Sequence, residues 1–296
     1  MEMPHVIGST HTTPEELISQ TTELVSLPDI YVRIKAVIYD PDSTMTDVAN
    51  VLSHDPAICA RMLKVANSAF FGASSKVETI KAAVRLLGTQ QVHDLVLAAT
   101  ITKTFPAIPD NLISMEDFWV NSVRCGLLAR LLAEQCNLAD GERFFVGSLL
   151  HDMGHLIMYQ TVPEECQEAL ITARQNNQPL YMVERDIVGC DYGQVGSQLM
   201  QNWNFPESWV QAVRYQNEPA NAPDFSFEAA IMHLSVRMKD MDSAAEAPAR
   251  DLSTIDPIAW EITGLSEDMV EPFLIAADEQ LGSAVETFFP EYRQYP

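Results

Sequence analysis

The sequence predicts an all-α fold in two lobes, and three observations carry that prediction. Helix-start signatures recur along its whole length. The apolar residues between them fall three and four positions apart, the spacing of one buried helix face. No segment keeps strict two-residue alternation beyond a few positions, and glycine makes up 12 of 296 residues, too few for a turn-dense all-β chain.

Each element can be justified in order. Thr13-Pro14-Glu15-Glu16 is a capping box with proline at the first helical position. Thr44 with Asp47, and Ser114 with Asp117, repeat the offset with aspartate as the acid. In His54-Asp55-Pro56, Asp55 is the cap and Pro56 opens the first turn, and Ile58, Cys59, Met62, Leu63, Val65 and Ala66 follow at helical spacing. The next helix, around 79–87, ends at Gly88, a C-cap candidate, and another runs beyond it through Leu95-Val96-Leu97. Residues 114–136 and 141–160 predict two longer helices. Leu127, Leu128, Leu131 and Leu132 form the buried stripe of the first; Phe144, Phe145, Ser148, Leu149 and Asp152 lie along the second. Pro163, Pro179 and Pro206 each open another helix.

These elements group into an N-terminal helical lobe over 1–112 and a second helical lobe over 113–240. A small, polar, proline-bearing linker over 241–255 leads to a C-terminal helical cap over 256–296. Trp260, Phe273, Phe288 and Phe289 suggest that this cap docks on the body.

Composition narrows the function. The chain carries 41 acids against 18 bases, a net charge of −23. Such a chain is a poor candidate for nucleic acid or an anionic membrane. Residues 33–103 carry eight bases and six acids, the one stretch suited to an acidic partner, although an ordinary solvated helix surface has the same composition. Five cysteines without paired spacing read as buried thiols of a reducing compartment. With no basic-then-apolar leader in residues 1–13 and no apolar run of membrane length, the expectation is a soluble cytoplasmic protein.

The sharpest motif is Leu149-Leu150-His151-Asp152-Met153-Gly154-His155. Adjacent His151 and Asp152 could both reach one ion against a helix side, given further ligands from other helices. Alternatively, His151 and His155 at i and i+4 approach the H-E-x-x-H zinc pattern, but Asp is one methylene shorter than Glu and Gly154 weakens the helix. A third reading is a His-Asp pair hydrogen-bonded within a buried polar seam. The helix–Gly–helix of 79–97 has no Arg, Lys or Asn cluster at the start of its second helix, Thr89-Gln90-Gln91, as a DNA-reading helix would need.

The run Asp55-Pro56-Ala57-Ile58-Cys59-Ala60-Arg61-Met62-Leu63-Lys64-Val65-Ala66-Asn67-Ser68-Ala69-Phe70-Phe71-Gly72, with Phe70 and Phe71 as packing anchors, resembles the HDOD (HD-related output) domain. So do Phe118-Trp119-Val120-Asn121-Ser122, Gly147 to Gly154, and Val195-Gly196-Ser197-Gln198-Leu199 followed by Trp203-Asn204-Phe205-Pro206. The resemblance covers roughly residues 20–240. It implies an all-helical, two-lobed fold whose second lobe is similar to HD-type metal phosphohydrolases, and a role as a signalling output module.

HD hydrolases hold metal through a first His, the His-Asp pair and a distal Asp, with further His residues in some members. Carried onto this chain, the resemblance keeps the pair, His151 and Asp152, and puts Asn121, Tyr192, Tyr215-Gln216 and Val236 at the other positions. Valine cannot ligate and Asn121 is a weak donor, so no metal or other cofactor is expected. A pocket of Asn121, His151, Asp152, Tyr192, Tyr215, Gln216 and His233 remains, either open to a small molecule or filled as an inert seam. His233, in an apolar helix, is expected to be a satisfied core histidine, and His155 to face solvent or the pocket rim.

The resulting expectation is a non-catalytic regulatory module that binds a signalling protein or a small nucleotide, not nucleic acid or membrane. The alternative is an HD-type phosphohydrolase using a divalent metal on His151 and Asp152. A chain of 296 residues is expected to leave no room for the receiver or cyclase domain that often accompanies the family, so input comes from a separate protein or a small ligand.

Overall fold

Capping chemistry sets the helix boundaries of the first part of the chain. The computed structural model describes residues 12–21, 26–67, 76–105, 108, 112–138, 141–241 and 251–292, so the predicted anchors Phe70 and Phe71 and most of the predicted linker lie outside the described residues. The first helices are α1 (Pro14–Thr21), α2 (Asp29–Ile38), α3 (Met45–Leu52), α4 (Pro56–Ala66), α5 (Ile80–Leu87) and α6 (Thr89–Thr100). At α1 the Thr13 N–H donates to Glu16 Oε2 at 2.9 Å and the Glu16 N–H to Thr13 Oγ1 at 3.2 Å, the predicted reciprocal box. Thr44 and Asp47 make the same box at α3. Asp55 Oδ1 accepts the Ala57 and Ile58 N–H groups at α4. Each cap satisfies donors that the first helical turn leaves open, worth about 1 kcal/mol. Gly88, at φ +82°, turns the chain between α5 and α6, in a region that L side chains rarely adopt.

Helices α2 to α6 pack on one another. The second lobe follows: α7 (Met115–Gln135), α8 (Gly141–Leu149), α9 (Met153–Thr161), α10 (Pro163–Asn176), α11 (Leu180–Ile187), α12 (Tyr192–Asn202), α13 (Glu207–Arg214) and α14 (Ser226–Met238). Helix α1 packs against α9 and α12 of this lobe, and the Thr12 N–H donates to Val188 O at 3.0 Å. After α15 (Pro257–Thr263), the long α16 (Val270–Phe288) lies along α7 and reaches α4. Among the described residues there is no strand, and no helix is long and apolar enough to cross a membrane.

Cations reach across the boundaries between these groups. Lys35 Nζ, from α2, donates to the Trp203 and Asn204 carbonyls just past the end of α12, at 3.0 and 2.8 Å. Lys64 on α4 pairs with Glu286 on α16 at 2.9 Å, and Arg124 on α7 grips Asp278 on α16 through two nitrogens. Beneath them, Phe288 packs on Phe145 and Phe289 on Trp119, with ring centroids 5.1 and 5.2 Å apart. The exposed pairs add little to stability; buried aromatic area carries this docking.

One boundary corrects the sequence reading. The helix expected over 141–160 is broken at 150–152 into α8 and α9. The Leu150 and His151 N–H groups bond back three residues, to the Gly147 and Ser148 carbonyls, which tightens and ends α8. His151 and Asp152 therefore sit in a turn, so the i, i+4 helical stacking of His151 over His155 does not exist.

Candidate functional site

The turn between α8 and α9 sends its two residues into different surroundings. His151 is 1% exposed. Its Nδ1 is 2.9 Å from the Ser148 carbonyl, which fixes the proton there and leaves Nε2 with a lone pair. That Nε2 is buried without a hydrogen-bond partner. Gln216, fully buried after α13, donates its side-chain amide to the His151 carbonyl at 3.0 Å and to the Val213 carbonyl at 2.9 Å. The Gln216 backbone carbonyl in turn accepts from His233 Nδ1 at 2.7 Å, and His233 Nε2 accepts the Asp256 N–H at 2.9 Å. His233 is thus a satisfied core histidine that ties α14 to the start of α15. Burial, the dominant effect, pushes the pKa of both His151 and His233 down to about 4, so both are neutral at physiological pH.

Asp152 turns the other way. Its Oδ1 lies 2.5 Å from His155 Nδ1, while His155 Nε2 lies 2.7 Å from Glu184 Oε1 on α11. The second Glu184 oxygen accepts the Tyr192 N–H at 3.2 Å. The His155 ring is stacked between Tyr192, at 4.2 Å, and Tyr159, at 5.2 Å. His155 is 7% exposed, which corrects the expectation of a solvent-facing or rim residue: the two carboxylates and two tyrosine rings hold it inside. Burial disfavours its charge, but Asp152, Tyr159 and Glu184 together raise its pKa well above the ordinary value. Burial likewise opposes the Asp152 charge, but His155 outweighs it and draws that carboxyl down to about 2. Glu184 carried no sequence signal; it lies 29 positions from its partner on an amphipathic helix.

The remaining predicted residues divide. Tyr192 is buried, and its hydroxyl donates to Asn217 Oδ1 at 3.2 Å, an oxygen that also accepts from Arg237 Nη2 at 2.9 Å. Tyr215 is half-buried beside Arg214, and Val236 is an apolar core residue of α14. Asn121 lies on the exposed face of α7, outside both hydrogen-bonded seams. Lys239, mostly buried at the end of α14, pairs with Asp240 at 2.8 Å and sets a positive field at His151 and Asp152. Among the described residues, no group of three or more His, Cys, Asp or Glu is arranged to hold a metal ion.

This all-helical architecture with a buried His-Asp turn defines the class. The family model of the HDOD domain matches residues 24–219, and the chain belongs to that family. Its fold is similar to that of a provisionally named phosphohydrolase from Shewanella amazonensis SB2B, with TM-score 0.71 and 24% identity, covering 94% of this chain and 97% of the other. An HDOD domain protein of unknown function from Geobacter sulfurreducens gives TM-score 0.69 at 20% identity, covering 92% and 97%. A provisionally named signal transduction protein from Marinobacter aquaeolei VT8 gives 0.67 at 21%, covering 94% of this chain and 61% of that one. A Treponema pallidum (strain Nichols) protein, described as uncharacterized, is 23% identical over 256 residues. That match covers 80% of this chain and 49% of the Treponema protein, so the chain spans about half its length.

Proposed function

We propose that this chain is a non-catalytic signal-transduction output module of the cytoplasm, acting through a signalling protein or a small nucleotide and not through nucleic acid or membrane. The observation that carries the reading is the donor set around the His-Asp turn. A divalent ion at that turn needs several oxygen or imidazole ligands converging on one point. His151 offers one lone pair; the near oxygen of Asp152 is committed to His155; Val236 offers nothing; Asn121 lies on the exposed face of α7. Lys239, paired with Asp240, adds a small positive field at Asp152 that disfavours a cation there. These residues do not fit the metal of an HD-type hydrolase.

One observation favours the alternative, an HD-type phosphohydrolase: the buried, unpartnered Nε2 of His151 is chemically a free ligand. Turnover of a generic phosphodiester in the presence of Mn²⁺ separates the two readings. We expect no turnover above the no-enzyme rate and no difference between wild type and His151→Ala. A metal-dependent rate that disappears in a folded His151→Ala variant overturns the proposal.

A further inference from the structure

We propose that the groove where α8 faces the α13–α14 pair is a binding site for a small apolar α-amino acid. The groove is half-open, and its apolar wall is built by Phe144 on α8, Trp209 on α13 and Met232 on α14. Gly147 shapes it: a Cβ there would stand 3.0 Å from Trp209 Nε1, so the missing side chain lets the indole edge lie against α8. Trp209 is 4% exposed, and its Nε1 is buried without a hydrogen-bond partner. Buried N–H groups are ordinarily paired, so this donor calls for an acceptor. Two charged side chains share the opening. Arg143, half-buried on α8, gives one guanidinium nitrogen to Ser208 Oγ, which fixes its position. Glu228, half-buried in the first turn of α14, lines the same groove. Among the described residues these two opposite charges form no ion pair, with each other or with another group.

These groups select the ligand. The Arg143 guanidinium keeps N–H donors beyond the one given to Ser208, and a carboxylate takes them together with the Trp209 proton. Glu228 only accepts, and its strongest partner is an ammonium group. A molecule that carries both charges next to an aliphatic stem is an apolar amino acid, its stem against Phe144 and Met232. A phosphate would use the same donors but bring up to two negative charges beside Glu228. The groove lies apart from the His-Asp turn: Glu228 and Met232 belong to the first half of α14, whereas Val236 and Lys239 stand at its end.

The inference goes beyond the proposed function and does not rest on it: a hydrolase could carry the same groove, and a groove that binds no amino acid leaves the output-module reading as it stands. The test is a titration of the full chain, labelled with ¹⁵N-tryptophan, with leucine, isoleucine, valine and methionine. The indole N–H signals are followed, and Trp209→Phe assigns the one that matters. Trp119 Nε1 is also buried and unpartnered but does not line the groove, so it is the internal control. At least one of the four amino acids should shift the Trp209 signal with a Kd of about 1 mM or tighter and leave Trp119 in place. For leucine, isocaproate lacks the ammonium and isopentylamine lacks the carboxylate; each should bind about tenfold or more weakly. Glu228→Gln should weaken leucine about tenfold and spare isocaproate, and Arg143→Gln should weaken both and spare isopentylamine. No shift of Trp209 with any of the four at about 10 mM overturns the proposal. So does a shift that the amino acids and their two truncated forms produce equally, which would mark an unselective apolar groove. If a variant fails to fold, the wild-type comparison of the amino acid with its truncated forms still decides.

Discussion

Two polar seams meet at the α8–α9 turn, and they treat histidine in opposite ways. On the α8–α13–α14 side, His151 and His233 bond to carbonyls, and burial keeps them neutral. On the α9–α11–α12 side, His155 is also buried, but it lies between two carboxylates, which raise its pKa. Burial alone therefore does not set the charge of a histidine; the partner on each ring nitrogen does. The two seams are one turn apart in the chain, and the direction in which each side chain leaves that turn decides its chemistry.

The largest expected effect breaks the charged seam by steric means. A Cβ on Gly154 would lie 1.9 Å from the Tyr192 carbonyl oxygen and 2.8 Å from the Gly196 nitrogen, both backbone atoms that cannot step aside. Gly154→Ala should force α9 from α12, unstack His155 from Tyr192 and cost about 3 kcal/mol or more. Gly282→Ala on α16, where a Cβ meets nothing within 4 Å, is the control and should be neutral or slightly stabilising. Urea unfolding of both variants measures the contrast; equal midpoints would mean that the α9–α12 approach is not tight.

A smaller effect sharpens the comparison through acid. His151 and His233 titrate at about 4 when folded, whereas unfolded histidines take up protons below about 6.5. Their contribution is present above pH 6.5 and is lost as pH falls toward 4, by up to about 3 kcal/mol each. His155 acts with the opposite sign, losing its contribution as pH rises through its raised folded value. Unfolding midpoints from pH 7 to 4.5 should fall steadily in wild type and fall less in His233→Gln. A flat profile would mean that the neutral seam is more open to water than its contacts imply.

Much of the scaffold is legible in local chemistry. The boxes at Thr13 and Thr44, the cap at Asp55, the proline starts and the Gly88 turn all depend on residues within four positions of one another, which a sequence displays. The break at 150–152 is not legible, because Leu149-Leu150 continues the apolar pattern and neither a proline nor a glycine stands within it. What ends α8 is backbone bonding three residues back, together with the close approach of Gly154 to α12. The Asp191 capping box at α12, with Gln194, could have been read from spacing but is masked by the glycines that follow. Of the candidate site, His151, Gln216 and His233 form one hydrogen-bonded chain, while Asn121 faces outward: the family motif fixes a position along α7, not the face it presents. Glu184 was invisible because its importance lies wholly in a contact across 29 residues.

The most direct test of the account is metal retention. Tag-free protein is incubated with Mn, Fe, Ni and Zn, desalted, and its metal content read by mass spectrometry. With Asp152 held by His155 and no converging donor set among the described residues, less than about a tenth of an equivalent of each metal is expected, unchanged in His151→Ala. Close to one equivalent of any metal, lost in His151→Ala, would contradict it.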